Sequence, residues 1–217
     1  MSISDFSSSL SGRMRISCDH ENVEKFPQNH VRFYLKYSSF VFKALGKPSF
    51  QRFLRWMLRK ESIEAEAVRT VQVEVLPLRR ENGRTIAGKC DPIQGRILIY
   101  PKTVNFCKIF KQEFGRNTLL HYAVNRARAA LIHEILHLKY NEDERTVREL
   151  SEEYFGKFKQ KQRAKTPYEQ YIYNMIFTAT PAGDRLILKG KTAGPGKAVR
   201  NENKLSITCL RASTAFR

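Results

Sequence analysis

The sequence predicts an α+β fold. A small sheet, made of one strand and a hairpin, packs on a long apolar helix and on a glutamate-bearing helix after it, with further helical and basic segments at both ends. Three observations predict this. Val71-Gln72-Val73-Glu74-Val75 alternates with the period of two that marks a half-buried strand. Thr85 to Cys90 and Arg96 to Tyr100 flank Asp91-Pro92-Ile93-Gln94-Gly95, a turn-forming stretch of the kind that closes a hairpin. From Asn117, an acceptable N-cap, to about Lys139 the chain reads as a buried helix carrying Ala129, Ala130, Leu131, Ile132, Ile135, Leu136 and Leu138.

The remaining elements follow in chain order. Residues 1–28 are Ser-rich and polar, and are expected to form a flexible arm. A helical N-terminal segment over 29–69 begins with an aromatic-rich helix from Val31 to Leu45, ended by Gly46-Lys47-Pro48. Ser49 is the expected N-cap of the next helix. There Phe50, Phe53, Leu54, Met57 and Leu58 recur at helical spacing, and Gln51, Arg52, Arg55 and Arg59 fill the opposite, basic side. Residues 70–158 form the core unit. After the apolar helix, Asn141 and Glu144 have capping-box spacing, and the following helix places Val147, Leu150, Tyr154 and Phe158 on one side. Residues 159–217 form a basic extension, with a helix start at Thr166-Pro167-Tyr168-Glu169, a turn at Ala182-Gly183-Asp184 and a strand at Leu186-Ile187-Leu188.

Composition bounds the function. The chain has 217 residues, 41% of them hydrophobic, enough for one substantial core. Thirty-nine Lys and Arg against 21 Asp and Glu give a formal charge of +18, which points to an acidic partner, nucleic acid among them. Cys18, Cys90, Cys107 and Cys209 contain no C-x-x-C pair, so a zinc ribbon is excluded and free thiols in a reducing compartment are expected. No basic-then-apolar leader opens the chain, and no apolar run approaches the ~20 residues of a membrane span. The expectation is a soluble, cytoplasmic protein. Gly190-Lys191-Thr192 and Gly196-Lys197 do not complete a phosphate loop, which excludes an NTPase reading.

The chemistry resides in His133-Glu134-Ile135-Leu136-His137. On a helix, residues i and i+4 stand one above the other, so two imidazoles at that spacing can grip one metal ion. The intervening Glu134 lies beside them, where it can take a proton from an activated water and pass it to a leaving amine. Catalytic zinc takes three protein ligands, so one more must come from the segment after the helix. His20, His30 and His121 all precede the motif, and His121 lies about three turns up the same helix, too far along the axis. The acidic candidates are Glu142, Asp143, Glu144, Glu149, Glu152 and Glu153. Glu144, in the first turn of the next helix and one turn before Val147, is favoured as ligand over a purely capping role, with Asp143 the alternative. A tetrahedral oxyanion needs a further donor; Tyr140, Arg145, Arg148 and Tyr154 are nearby in sequence, but each is expected to be structural or at the surface.

From Val71 to Phe158 the chain resembles the zincin metallopeptidases, and more narrowly the small minigluzincins. The resemblance implies a single Zn2+, a water nucleophile, and a protein or peptide substrate laid along the upstream edge strand. It implies His133, His137 and Glu144 as ligands and Glu134 as general base. The metzincin pattern fails, because Tyr140 and Asp143 stand at its glycine and third-histidine positions. Longer gluzincins set their ligand glutamate farther downstream, which leaves Glu149 and Glu152 as further candidates. The expected function is zinc-dependent peptide-bond hydrolysis, of endopeptidase type. The alternatives are a basic nucleic-acid-binding protein with a vestigial metal site, or a DNA-associated protease of the SprT-like kind; the latter carry a further downstream histidine, and no histidine follows His137 here.

Overall fold

A computed structural model describes residues 10–78, 85–160 and 168–177. Much of the expected arm is ordered. Leu10–Arg13 makes one 3-10 turn, Met14–Ser17 forms strand β1, and His20–Val23 forms a short helix, α1. Four alternating residues are too few for the period of a strand to stand out among serines, so pairing, and not local pattern, creates β1. Its partner is β2, Thr70–Glu74, with Met14 opposite Val71 and Ser17 opposite Glu74 in parallel register.

The sheet is larger than a strand plus a hairpin. Strand β3 spans Gly88–Asp91 and β4 spans Arg96–Ile99, and the order is β1-β2-β4-β3. β2 and β4 are parallel, whereas β3 runs antiparallel to β4 and forms one edge. The β3–β4 hairpin lies where the turn-forming stretch predicts it. Asp91 Oδ1 accepts from the Gln94 backbone N–H at 3.0 Å, and Gly95 takes φ +59°, which a side chain disfavours. Val71, Val73, Ile97 and Ile99 are buried on one face. By register Gly88 and Cys90 share that face.

Two helices precede the sheet's centre. Helix α2 covers Gln28–Leu45 and α3 covers Pro48–Lys60. The N-cap of α3 is Lys47 and not Ser49, because Pro48 fills the first turn, where its missing N–H costs nothing. All five predicted apolar positions of α3 are buried. Gln51 is buried as well, against its expected place on the polar side; its Nε2 donates to the Leu45 carbonyl at 2.8 Å and satisfies the end of α2.

Helix α4, Val104–Tyr140, is the central element. It bends sharply at Gly115, where φ of +81° interrupts the helical backbone. The helix expected from Asn117 thus corresponds to its second half. The first half carries Cys107 and Phe110 into a separate cluster with Leu119, Tyr122 and Ile172. From Asn125 to Ile132 every residue is buried, as a helix enclosed on all sides requires. Arg126 ties this helix to the sheet, donating to the carbonyls of Tyr100 (2.6 Å) and Ile86 (2.8 Å) at the ends of β4 and β3. Helix α5, Glu144–Gln160, packs on α4 after a tight corner, and α6, Glu169–Phe177, lies beyond. The main apolar cluster draws on residues from Leu10 to Phe158, across the boundaries at 28 and 69. Among the described residues, no helix is long and apolar enough to cross a membrane. The expected turn and strand over 182–188, Pro167 and Cys209 lie outside the described residues. Cys18, Cys90 and Cys107 are free thiols.

Candidate metal centre

His133 and His137 are placed by α4 in the way the i, i+4 spacing requires. Their Nε2 atoms approach to 3.2 Å. Glu144, at the start of α5, meets both: Oε1 is 3.6 Å from His133 Nε2, and Oε2 is 3.4 Å from His137 Nε2. Each of the three side chains offers one ligand atom, and these atoms lie within 4.8 Å of one another. Two donors bound to one tetrahedral zinc at 2.0–2.1 Å stand about 3.3–3.4 Å apart. The two Nε2 atoms stand close to that separation, and the Glu144 carboxylate spans the pair, with one oxygen nearer each ring. Glu144 is largely exposed while both imidazoles are mostly covered, so the triangle opens toward solvent on the carboxylate side.

The far nitrogens of both rings are held. His137 Nδ1 donates to the Asn141 carbonyl, and His133 Nδ1 lies 3.3 Å from Ser151 Oγ. The Ser151 hydroxyl itself donates to the Val147 carbonyl at 2.6 Å, which leaves its oxygen to accept from His133. Both imidazoles therefore present a free Nε2 lone pair to the triangle, as a ligating histidine must. Burial pushes the His133 pKa below its usual 6.5; Glu144 opposes this, and His137 and Arg148 reinforce it. The neutral, ligating form is thereby favoured. Two imidazole nitrogens and one carboxylate are donors that could hold a divalent metal ion.

The corner between α4 and α5 explains which carboxylate is available. Asn141 closes α4 with φ +48° and ψ −115°, a positive-φ corner outside the left-handed helical region, and its backbone N–H donates to the His137 carbonyl. Asp143 caps α5: its Oδ1 accepts from the Thr146 backbone N–H at 3.0 Å, and hydrogen bonds from the Thr146 side chain and backbone hold its carboxyl below 3.8. The expected Asn141–Glu144 capping box is therefore replaced by an Asp143 cap, and the Asp143 carboxylate is turned away from the histidines. Glu149 pairs with Arg145 at 3.1 Å, and Glu152 accepts from the Tyr173 hydroxyl at 3.2 Å. Glu144 alone of the acidic candidates joins the two histidines among the described residues.

Glu134, next to His133 on α4, is buried against the edge strand. The Cα of Gly88 sits so close that an added Cβ would lie 2.7 Å from Glu134 Cγ and 2.7 Å from Oε1. β3 thus passes directly over this carboxylate. Cys90, two residues along the same face, has its thiol pushed up to about 12 by burial, with further contributions from Glu134 and Asp91.

The four donor side chains near the motif in sequence are engaged in structural contacts. Arg145 pairs with Glu149, and Arg148 donates to the Phe177 carbonyl at 2.7 Å. The Tyr140 hydroxyl donates to Glu61 Oε2 at 2.7 Å, the Tyr154 hydroxyl donates to Glu61 Oε1, and Lys139 Nζ completes the cluster at 3.2 Å. Burial of Glu61 opposes its ionisation, but the hydrogen bonds from Tyr154, Tyr140 and Lys139 prevail and hold its pKa below 4.5. This knot joins the end of α3 to the end of α4 and to α5, so it fixes the corner that carries Glu144. Sequence reasoning missed Glu61, Gly88 and Ser151. Only Ser151 left a signal, standing seven residues after Glu144 and so on the same face of α5.

No family model, no curated protein and no solved structure matches this chain.

Proposed function

We propose that this protein is a zinc-dependent metallopeptidase of zincin type that cleaves peptide bonds internal to a protein or peptide substrate. The observation that carries the reading is the triangle of His133, His137 and Glu144, with both histidine Nδ1 atoms engaged and the Nε2 atoms converging. His133, His137 and Glu144 would hold the cation, which when bound supplies Lewis acidity to a water and to the scissile carbonyl. Glu134 is the general base: it accepts the proton of the attacking water and delivers it to the departing nitrogen. Ser151 and the Asn141 carbonyl keep the ligand rings in the correct tautomer and orientation. β3 is an edge strand, paired only with β4 among the described residues, so an extended substrate would add to its free side and lie beside Glu134.

The test is direct. Purified protein should bind about one zinc per chain. Glu134→Gln should retain the metal and lose cleavage of a casein or peptide substrate by more than about a hundredfold. Cleavage at the wild-type rate by that variant would remove Glu134 from the mechanism. A protein that takes up no zinc would remove the proposal.

A further inference from the structure

We infer that the exposed face of α3 is a docking surface for the phosphate backbone of duplex nucleic acid. This goes beyond the peptidase reading and does not rest on it. α3 contains no acidic residue, and Arg52, Arg55 and Arg59 are all exposed. Their spacing of three and four puts them in one straight stripe about 10 Å long, at 1.5 Å rise per residue. Lys47 and Lys60, also exposed, add positive charge near the two ends of the helix, off the line of the arginines. Among the described residues none of the three guanidinium groups has an ion-pair or hydrogen-bond partner. The charged stripe is therefore unsatisfied on a chain whose formal charge is +18.

Three features select duplex backbone over other acidic partners. First, the apolar side of α3 is spent: Phe50, Leu54 and Met57 are fully buried in the main core. A helix lying in a bilayer interface needs that side free to insert. Second, no large exposed hydrophobic residue lies on α3; those of the described residues are Ile16, Leu35, Phe40, Leu78, Ile93, Ile109 and Tyr168. A stable protein interface needs apolar anchors, whereas phosphate contact needs only cations. Third, the stripe offers no free stacking platform. Trp56, the aromatic residue beside it, is met by the Lys60 ammonium at 5.8 Å and edge-on by Tyr154 at 5.8 Å. Unpaired bases would find nothing to stack on, so the contact is with backbone and is indifferent to sequence. Arginine forks match phosphate oxygens in pairs, which lysine does not.

The experiment measures anisotropy of a labelled 20-base-pair DNA with the full chain between 50 and 200 mM KCl. Arg52→Gln/Arg55→Gln/Arg59→Gln should flatten the slope of log affinity against log salt by about 2.7, at about 0.9 per lost phosphate contact, and weaken binding at 50 mM at least tenfold. The single Arg55→Gln, which touches one exposed side chain, should flatten it by about 0.9. Lys108→Gln/Lys111→Gln/Arg116→Gln removes the same charge from another exposed surface and should leave the slope nearly unchanged. Equal losses in both triple variants, or an unchanged slope in the α3 variants, would overturn the inference. So would tighter binding to phosphatidylserine vesicles than to the duplex, or to single strands than to the duplex. Binding should persist in Glu134→Gln and after chelation, so failure here leaves the metal centre untouched.

Discussion

Replacing Gly88 with alanine tests the geometry on which the proposed chemistry depends. The added Cβ would fall 2.7 Å from both Cγ and Oε1 of Glu134 and 3.0 Å from its Cδ. An ordinary contact begins near 3.4 Å, so the Glu134 side chain or the strand must yield by about 0.7 Å. Both are hemmed in: Glu134 is buried on the central helix, and β3 is paired to β4 and tied through the Ile86 carbonyl to Arg126. Overpacking of this kind costs about 1–3 kcal/mol of stability, offset by about 0.4–1 kcal/mol because alanine restricts the unfolded chain. The catalytic cost is larger. A misplacement near 1 Å costs about a hundredfold, so kcat should fall about tenfold to a hundredfold. Peptide hydrolysis, zinc stoichiometry and a urea melt on the same preparation separate these terms: kcat falls, zinc stays near one per chain, and the fold survives. Unchanged kcat in Gly88→Ala, with Glu134→Gln inactive, would refute the claim that the base works from beneath β3. Restored stability in Gly88→Ala/Glu134→Asp, where the acid is shorter by one methylene, would trace the clash to this pair.

Other residues yield sharper contrasts when paired. Glu144→Gln should weaken zinc binding by at least about a hundredfold in chelator competition, whereas Asp143→Ala should leave it within about twofold and cost about 1 kcal/mol through the lost helix cap; the reverse pattern would assign the third ligand to Asp143. Ser151→Ala removes only the partner of His133 Nδ1, and about a tenfold loss of zinc affinity is expected, readable by the same competition. Glu61→Gln should destabilise the protein by about 2–3 kcal/mol at neutral pH, since a buried carboxylate loses charge-assisted bonds from Tyr140, Tyr154 and Lys139. Because the folded-state pKa of Glu61 is depressed, its contribution is present above 4.5 and is lost as pH falls through the folded value. Urea midpoints of wild type and Glu61→Gln should therefore converge as the solution is acidified below about 4.5, and a constant difference down to pH 3 would contradict the cluster.

Local pattern made several elements legible. The hairpin around Asp91–Gly95 follows from turn chemistry, and the buried side of α3 follows from apolar residues at a period of 3.6. The convergence of His133 and His137 follows from helix geometry alone, because any helix with that spacing stacks them. Features created by contact between distant segments left no such trace. β1 became a strand because β2 offered it a ladder. The helical stretch before Gly115 lay outside the helix expected from Asn117, and the break between the two halves rests on a backbone conformation that glycine alone reaches cheaply.

The candidate site divides along the same line. Residue type and spacing by themselves determined that two imidazoles and an adjacent carboxylate share one helix, and they narrowed the third donor to the acids of the next segment. Only the folded chain decided among those acids, because a hydrogen bond from Thr146 turned Asp143 into a cap and left Glu144 facing the rings. Only the folded chain set β3 over Glu134 and gave each ring a partner for its second nitrogen. The physical reason is range: helical periodicity is a short-range property written in neighbouring residues, whereas the choice of a ligand depends on where a tight corner aims two adjacent side chains.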